Sequence, residues 1–294
     1  MMRYPSTTTK LVVLLGHPLG HSLSPLIHNA TFEHLGLDYC YLPVEVTREN
    51  LAVVFNGLRR MNLVGCNVTI PHKMAILEFL DELDPQAALL GAVNTICFRD
   101  GRAIGHNTDG QGFLRSLEEA GMAGIAGKNI FILGAGGAAR AIAMSLAAGG
   151  AGSIYLCNRN PDKALALAEE INEKIRPCSE TVAAELSAQG PVLKRCQLLV
   201  NTTSVGMHPH HDQLPIAAEA LSAHLTVADI VYNPHTTRLL AAAEARGCPI
   251  VHGLGMLIHQ GALGFSLWTD REPPIGRMLA TALSHLAGLS ATTG

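Results

Sequence analysis

Residues 67–73 read "NVTIPHK", and the lysine is the side chain there that could do chemistry. Val68 and Ile70 alternate with Asn67 and Thr69, as the end of a strand does. Pro71 stops that strand and can open a helix over the apolar run "MAILEFL". Lys73 is then either a solvated helix-start residue or a proton donor at the mouth of a strand. "GHPLGHSLSPLIHN" sets Ser22 and Ser24 two apart, after a strand and beside a helix N-terminus. Two hydroxyls with nearby backbone donors can hold a carboxylate without an arginine, while the plainer role for Ser24 is an N-cap. Asn94 in "GAVNT" and Asp109 in "GHNTDG" follow short strands, where sites collect, although both residue types also favour turns. The histidines of "HPHH" (208–211) have no carboxylate or cysteine placed to complete a set, so no metal is expected.

A second chemistry is written in "FILGAGGAAR" (131–140), which follows a strand and opens a helix. Its pattern is Gly134-x-Gly136-x-x-Ala139. Gly134 permits a tight turn, Gly136 lets backbone approach a pyrophosphate, and the third position needs only a small residue. The helix N-terminus then offers free N–H groups to phosphates. The bland alternative is a tight helix–sheet turn with no ligand. The next strand ends in "NRNPDK", where an NAD site usually carries an acidic residue. Asn158 and Arg159 stand there instead. A permanently charged arginine suits a 2′-phosphate, and Lys163 can add a second cation. Asp162 is close in sequence, so the pattern admits NAD as well as NADP.

These residues must be positioned by a layered α/β chain. Apolar runs alternate with helical patterns throughout: strand-like "LVVLLG", "YCYLPVEV" and "NLVGCNVTI", helical "SPLIHNATFEHLG" and "TRENLAVVFNGLRR", and a hairpin around Asp100-Gly101. From residue 110 the texture changes to strand, glycine turn and small-residue helix, with further strand–helix alternation to "PIVHG". Beyond residue 254 the pattern is purely helical. This predicts one domain at 1–109 plus 254–294 and a nucleotide-binding domain at 110–253. At 294 residues, 48% hydrophobic and 15% charged, the chain is long and apolar enough for two globular cores. A net charge of −3 leaves no basic surplus for nucleic acid. Seven cysteines without a C-x-x-C pair argue against disulfides or a cysteine zinc site and for a cytoplasmic protein. The N-terminus lacks the apolar core of a signal peptide, and the stretch 130–157 is broken by Arg140 and glycines, so no membrane span is expected.

Taken in order, "HSLSPLIHN", "NVTIPHK", "GAVNT", "GHNTDG", "GAGGAAR", "NTTSVGM", "VYNP" and "GLGMLIHQGALGFSLWTD" resemble the shikimate dehydrogenase family over residues 11–270. The C-terminal part also resembles its quinate/shikimate subgroup. The resemblance implies an α/β fold with a discontinuous substrate domain from both chain ends and a central Rossmann-type domain. It implies reversible hydride transfer between NADP(H) and 3-dehydroshikimate or shikimate, in the route to chorismate and the aromatic amino acids. Ser22 and Ser24 match carboxylate-binding serines, and Tyr232 matches a tyrosine near that carboxylate. Thr69, Asn94, Asp109 and Gln260 match residues that bind ring hydroxyls, and Lys73 with Asp109 matches the catalytic pair. For the cofactor the matching positions are Gly134, Ala135, Gly136, Gly137, Ala138, Asn158, Arg159, Lys163, Thr202 and Gly253. Lys163 departs from the family's usual basic position, which leaves NAD beside NADP.

Under this reading, reduction of the ketone leaves an alkoxide that needs a proton, and Lys73 can supply it and stabilise the charge beforehand. Oxidation requires the same lysine to lose its proton. Hydride chemistry belongs to the nicotinamide, so no metal is needed. Two alternatives remain beside it: a quinate/shikimate enzyme using NAD or both cofactors, and a dinucleotide-sensing protein without turnover. Lys73 and Asp109 in one chain weigh against the sensor. A homodimer is among the assemblies the sequence admits.

Overall fold

In a computed structural model, which describes residues 5–61, 63–122 and 124–292, the first apolar run becomes strand β1 (Lys10–Gly16). After it come α1 (Ser24–His34), β2 (Tyr39–Glu45), α2 (Leu51–Leu58) and β3 (Leu63–Val68). Then follow β4 (Glu82–Leu83), α3 (Pro85–Leu90), β5 (Thr95–Arg99) and β6 (Arg102–His106). Their sheet has the order β2-β1-β3-β5-β6-β4. β1 pairs parallel with β2 and β3, while β3, β5 and β6 run antiparallel to one another in turn. The β5–β6 turn is at Asp100 (φ 51°) and Gly101 (φ 75°), the left-handed pair that a two-residue hairpin requires.

Both faces of β1 are covered, which explains its unbroken hydrophobic run. Val13 and Leu15 pack with Phe55 and Ile76 on one side. Val12 and Leu14 pack with Phe32, Phe265 and Trp268 on the other. The last two come from the first of the two C-terminal helices described below, and the Trp268 indole donates to the Ile96 carbonyl at 3.1 Å.

The central region contains α4 (Asp109–Glu119), β7 (Ile130–Leu133), α5 (Gly137–Ala148), β8 (Ile154–Cys157) and α6 (Pro161–Lys174). It continues with β9 (Ser179–Thr181), α7 (Leu186–Leu193), β10 (Leu198–Asn201), β11 (Thr226–Asp229), α8 (Arg238–Glu244) and β12 (Ile250–His252). Its sheet is wholly parallel, in the order β12-β11-β10-β7-β8-β9. That is the doubly wound arrangement, with the order reversing between β7 and β10. β7, β8 and β10 are buried at every position, as strands with helices on both faces must be.

Helices α9 (Gly253–Thr269) and α10 (Ile275–Thr292) complete the chain, and α10 packs on α1. By contacts the chain divides into Met1–Thr108 with Gln260–Gly294, hereafter unit 1, and Asp109–His259, unit 2. The second division falls inside α9, seven residues into the helix.

Two local expectations differ from the structure. The run after Pro71 forms a short 3-10 helix over Ala75–Phe79 in place of an α-helix. The Arg59 guanidinium takes the Phe79 carbonyl at 3.0 Å and the chain turns extended at Leu80 to enter β4, so no second α-turn can form. Ser24 is the first helical residue of α1 and does not cap it by a side-chain bond. Ser22 Oγ accepts from the Ser24 N–H instead, at 3.3 Å.

Candidate active site

In unit 1 the polar candidates gather at the carboxyl ends of β1 and β3. Asn67 is buried within an apolar strand and must satisfy its amide internally. Its Nδ2 donates to the Asn94 carbonyl (2.9 Å) and to Thr95 Oγ1 (3.0 Å), and its Oδ1 accepts from the Tyr41 hydroxyl (2.7 Å). The Ser24 side chain stands near the Tyr41 phenol and favours its charged form, against the larger effect of burial. Burial pushes the Tyr41 phenol well above its ordinary pKa, so it acts here as a neutral hydrogen-bonding group.

Asn94 lies one step further. Its Nδ2 donates to Thr108 Oγ1 (2.9 Å) and to Gln260 Oε1 (3.2 Å), and its Oδ1 accepts the Thr108 N–H (2.9 Å). Thr108 Oγ1 donates in turn to the Gln260 backbone carbonyl (3.0 Å). Asn94 and Gln260, 166 residues apart, therefore share one network. Asn67, Tyr41 and Thr108 belong to it too, although nothing in their local sequence singled them out as site residues. A buried polar residue in an apolar strand was the available signal for Asn67.

Lys73 is half-buried on a segment held from several sides. The Thr69 N–H donates to Leu15 O (2.8 Å), and Ile70 O accepts from His17 N (2.9 Å). The buried His72 donates through Nε2 to Val46 O (2.6 Å), and the Lys73 carbonyl accepts from Val93 N (2.8 Å), directly beside Asn94. The backbone carrying Lys73 is thus pinned to the strand ends that carry the polar network. Asp109 is buried and opens α4, the first residue of unit 2.

In unit 2 the candidates converge on the carboxyl edge of the parallel sheet. Gly134 follows β7 with φ +113°, a conformation closed to residues with a Cβ. A Cβ there would stand 2.4 Å from Thr202 Oγ1, which donates to Leu133 O at 2.6 Å. Packing therefore accounts for Gly134. It does not account for Gly136 and Gly137, where an added Cβ would meet nothing within 4 Å. Open space above two glycines, with a helix N-terminus that no side chain caps, fits the approach of a pyrophosphate. Ala135 and Ala138, on either side of that pair, are half-buried, and Ala139 is fully buried.

At the end of β8, Asn158 Nδ2 donates to Asn160 O (2.8 Å) and Asn160 Oδ1 caps α6 at the Asp162 N–H (3.0 Å). Arg159 and Lys163 are exposed there. Gly253 begins α9 where a Cβ would lie 2.5 Å from the Ile230 carbonyl carbon, so the helix starts hard against the loop after β11. That loop carries Tyr232, whose pKa burial raises. His208 and His211 stack at 6.4 Å, and among the described residues no three His, Cys, Asp or Glu side chains gather as a metal set. Among the same residues no helix is long and apolar enough to cross a membrane.

The fold and the glycine loop define an α/β protein with a Rossmann-type dinucleotide-binding unit. Family models narrow this. Residues 14–96 match the shikimate dehydrogenase substrate binding domain, 116–204 the shikimate/quinate 5-dehydrogenase model, and 253–283 the shikimate 5'-dehydrogenase C-terminal domain. The shikimate dehydrogenase (NADP(+)) of Methanopyrus kandleri is 47% identical, over 95% of this chain and 96% of its own. A shikimate dehydrogenase crystallised with NADP+ superposes with a TM-score of 0.90 at 42% identity, covering 96% of this chain and 98% of that one. Shikimate 5-dehydrogenase from Listeria monocytogenes, crystallised with shikimate and NAD, gives a TM-score of 0.88 at 41% identity over 95% and 98% of the two chains. The chain belongs to the shikimate dehydrogenase family.

Proposed function

We propose that this chain catalyses the reversible, NADP-dependent reduction of 3-dehydroshikimate to shikimate. The observation that carries the proposal is the buried polar network of Asn94, Thr108 and Gln260, with the Lys73 backbone pinned beside it. A cluster of fixed amide and hydroxyl groups suits a ring that presents several hydroxyls. In this reading Thr69, Asn94, Asp109 and Gln260 hold the ring hydroxyls, and Ser22, Ser24 and Tyr232 hold the carboxylate. Lys73 passes a proton to the carbonyl oxygen as it becomes an alcohol and takes it back in the reverse direction, with Asp109 as its partner. NADP(H), when bound, supplies or accepts the hydride. Gly134 to Ala138, Thr202 and Gly253 would hold its backbone-facing parts, and Asn158, Arg159 and Lys163 its 2′-phosphate. Unit 1 is then the substrate domain and unit 2 the cofactor domain. Seven unpaired cysteines suit a reducing compartment, and we place the enzyme in the cytoplasm, as a monomer or homodimer.

The test is a rate matrix of shikimate and quinate, each with NADP+ and NAD+. Fastest turnover with shikimate and NADP+ supports the proposal, and no turnover with either polyol overturns it. A second reading, use of both cofactors, is favoured by the Listeria relative crystallised with NAD and is read from the same matrix.

A further inference from the structure

Asp229 is a buried carboxylate of unit 2 that none of these roles employs. It closes β11, in register with Asn201 at the end of β10. Three donors converge on it: Asn201 Nδ2 (2.9 Å) and Val231 N (3.1 Å) on Oδ1, and Thr237 Oγ1 (2.6 Å) on Oδ2. A carboxylate only accepts, so it dictates which way the Asn201 amide faces. With Nδ2 turned to Asp229, Asn201 Oδ1 is left to accept Thr203 N (3.1 Å) and Thr203 Oγ1 (2.7 Å). That fixes the start of the loop 202–207, whose Thr202 hydroxyl stands over Gly134. On the other side, Val231 and Thr237 are the two ends of the segment carrying Tyr232. Thr237 Oγ1 also accepts Leu240 N (3.3 Å), capping α8. One side chain therefore ties together the loops after β10 and β11, at the sheet edge where doubly wound folds bind ligands.

Among the described residues no charged side chain acts on Asp229. Burial pushes the Asp229 carboxyl up to about 6, opposed only by its three hydrogen bonds. Such a group is costly to keep charged in an apolar interior, and what it does in return is orient its neighbours.

We propose that Asp229 is a positioning residue for NADP(H), acting through Asn201 and Thr237 to set the two loops beside the glycine turn. The proposal rests on the function given above. Calorimetric titration of the intact, folded protein with NADP+ tests it, alongside thermal unfolding. Asp229→Asn keeps the volume but lets the residue 229 and 201 amides face either way. It should raise the NADP+ Kd about tenfold. Thr237→Ala, which removes one donor, should raise it roughly threefold. A core truncation in α6, Ile171→Ala, should lower the melting temperature and leave the Kd unchanged. In the rate assay Asp229→Asn should raise the KM for NADP+ more than it lowers kcat. If Asp229→Asn and Thr237→Ala fold and bind as the wild type does, the proposal is overturned. It is overturned equally if Ile171→Ala weakens binding as much as they do. If Asp229→Asn does not fold, Thr237→Ala against Ile171→Ala decides the matter. A wild type that turns over shikimate, with variants that bind NADP+ as well as it does, refutes only the role of Asp229. A wild type that binds no NADP+ refutes the function and this role together.

Discussion

Replacing Gly134 by alanine tests the glycine turn and its packing at once. At φ +113° the backbone lies in a region essentially reserved for glycine, and holding a Cβ there costs roughly 1–3 kcal/mol. The new Cβ would also stand 2.4 Å from Thr202 Oγ1, a separation no real pair adopts. The threonine must rotate away, giving up its 2.6 Å bond to Leu133 O, which adds about 1 kcal/mol. The backbone of Thr202 is less free to retreat, because its own N–H is bonded to the same carbonyl at 2.9 Å. The sum is about 2–4 kcal/mol, or a fall of roughly 5–15 °C in Tm for a cooperative unit of this size. Differential scanning calorimetry measures the fall, and NADP+ titration should show the affinity dropping with it. The double variant Gly134→Ala, Thr202→Ala separates the two contributions. Removing the hydroxyl relieves the collision but not the φ strain, so the double variant should lose about 1 kcal/mol less than the two single losses summed. A Gly134→Ala protein that melts within about 1 °C of the wild type and still binds NADP+ would refute the reasoning.

Lys73→Ala should cut turnover by roughly 10²–10⁴ while NADP+ affinity and melting temperature stay put, and unchanged turnover would remove Lys73 from the proton step. Arg159→Ala should raise the NADP+ KM by roughly 10–100-fold and leave the NAD+ KM nearly untouched, as loss of a charge-assisted phosphate contact predicts. His28 is wholly buried against Tyr41 and Phe265, and burial lowers its pKa to about 3. The unfolded chain, titrating near 6.5, binds the extra proton, so stability is full above that value and is lost as pH falls toward 3. The share at stake is several kcal/mol, as an order of magnitude. His28→Phe, which also removes a buried Nδ1 without a partner, should flatten the acid limb of a Tm-against-pH curve, and an unaltered acid limb would clear His28 of that role.

Much of the fold was legible locally. β1 and β7 read as strands because short apolar runs bounded by glycine leave little else, and Asp100-Gly101 read as a hairpin because its left-handed geometry is a property of the turn itself. The glycine loop was legible for the same reason, since strand, turn and small-residue helix are contiguous. The run after Pro71 was not. Its helical pattern was overruled by Arg59, a residue on a different element that captures the Phe79 carbonyl. Ser24 likewise sat at a plausible cap position, but the helix begins on it and Ser22 took its backbone N–H.

By itself the sequence determined the family, the two chemistries and the residue types that could perform them, because motifs of adjacent residues encode turns, caps and phosphate-sized gaps directly. Only the tertiary structure decided which distant residues act together. Asn94 meets Gln260 across 166 residues through a sheet and a returning helix, and Tyr41 closes on Asn67 through strand order. Asp229 draws Asn201 and Thr237 onto one carboxylate because β10 and β11 lie in register. Such meetings satisfy buried polar groups, and that requirement is met by whichever neighbours the packing supplies, which no spacing along the chain records.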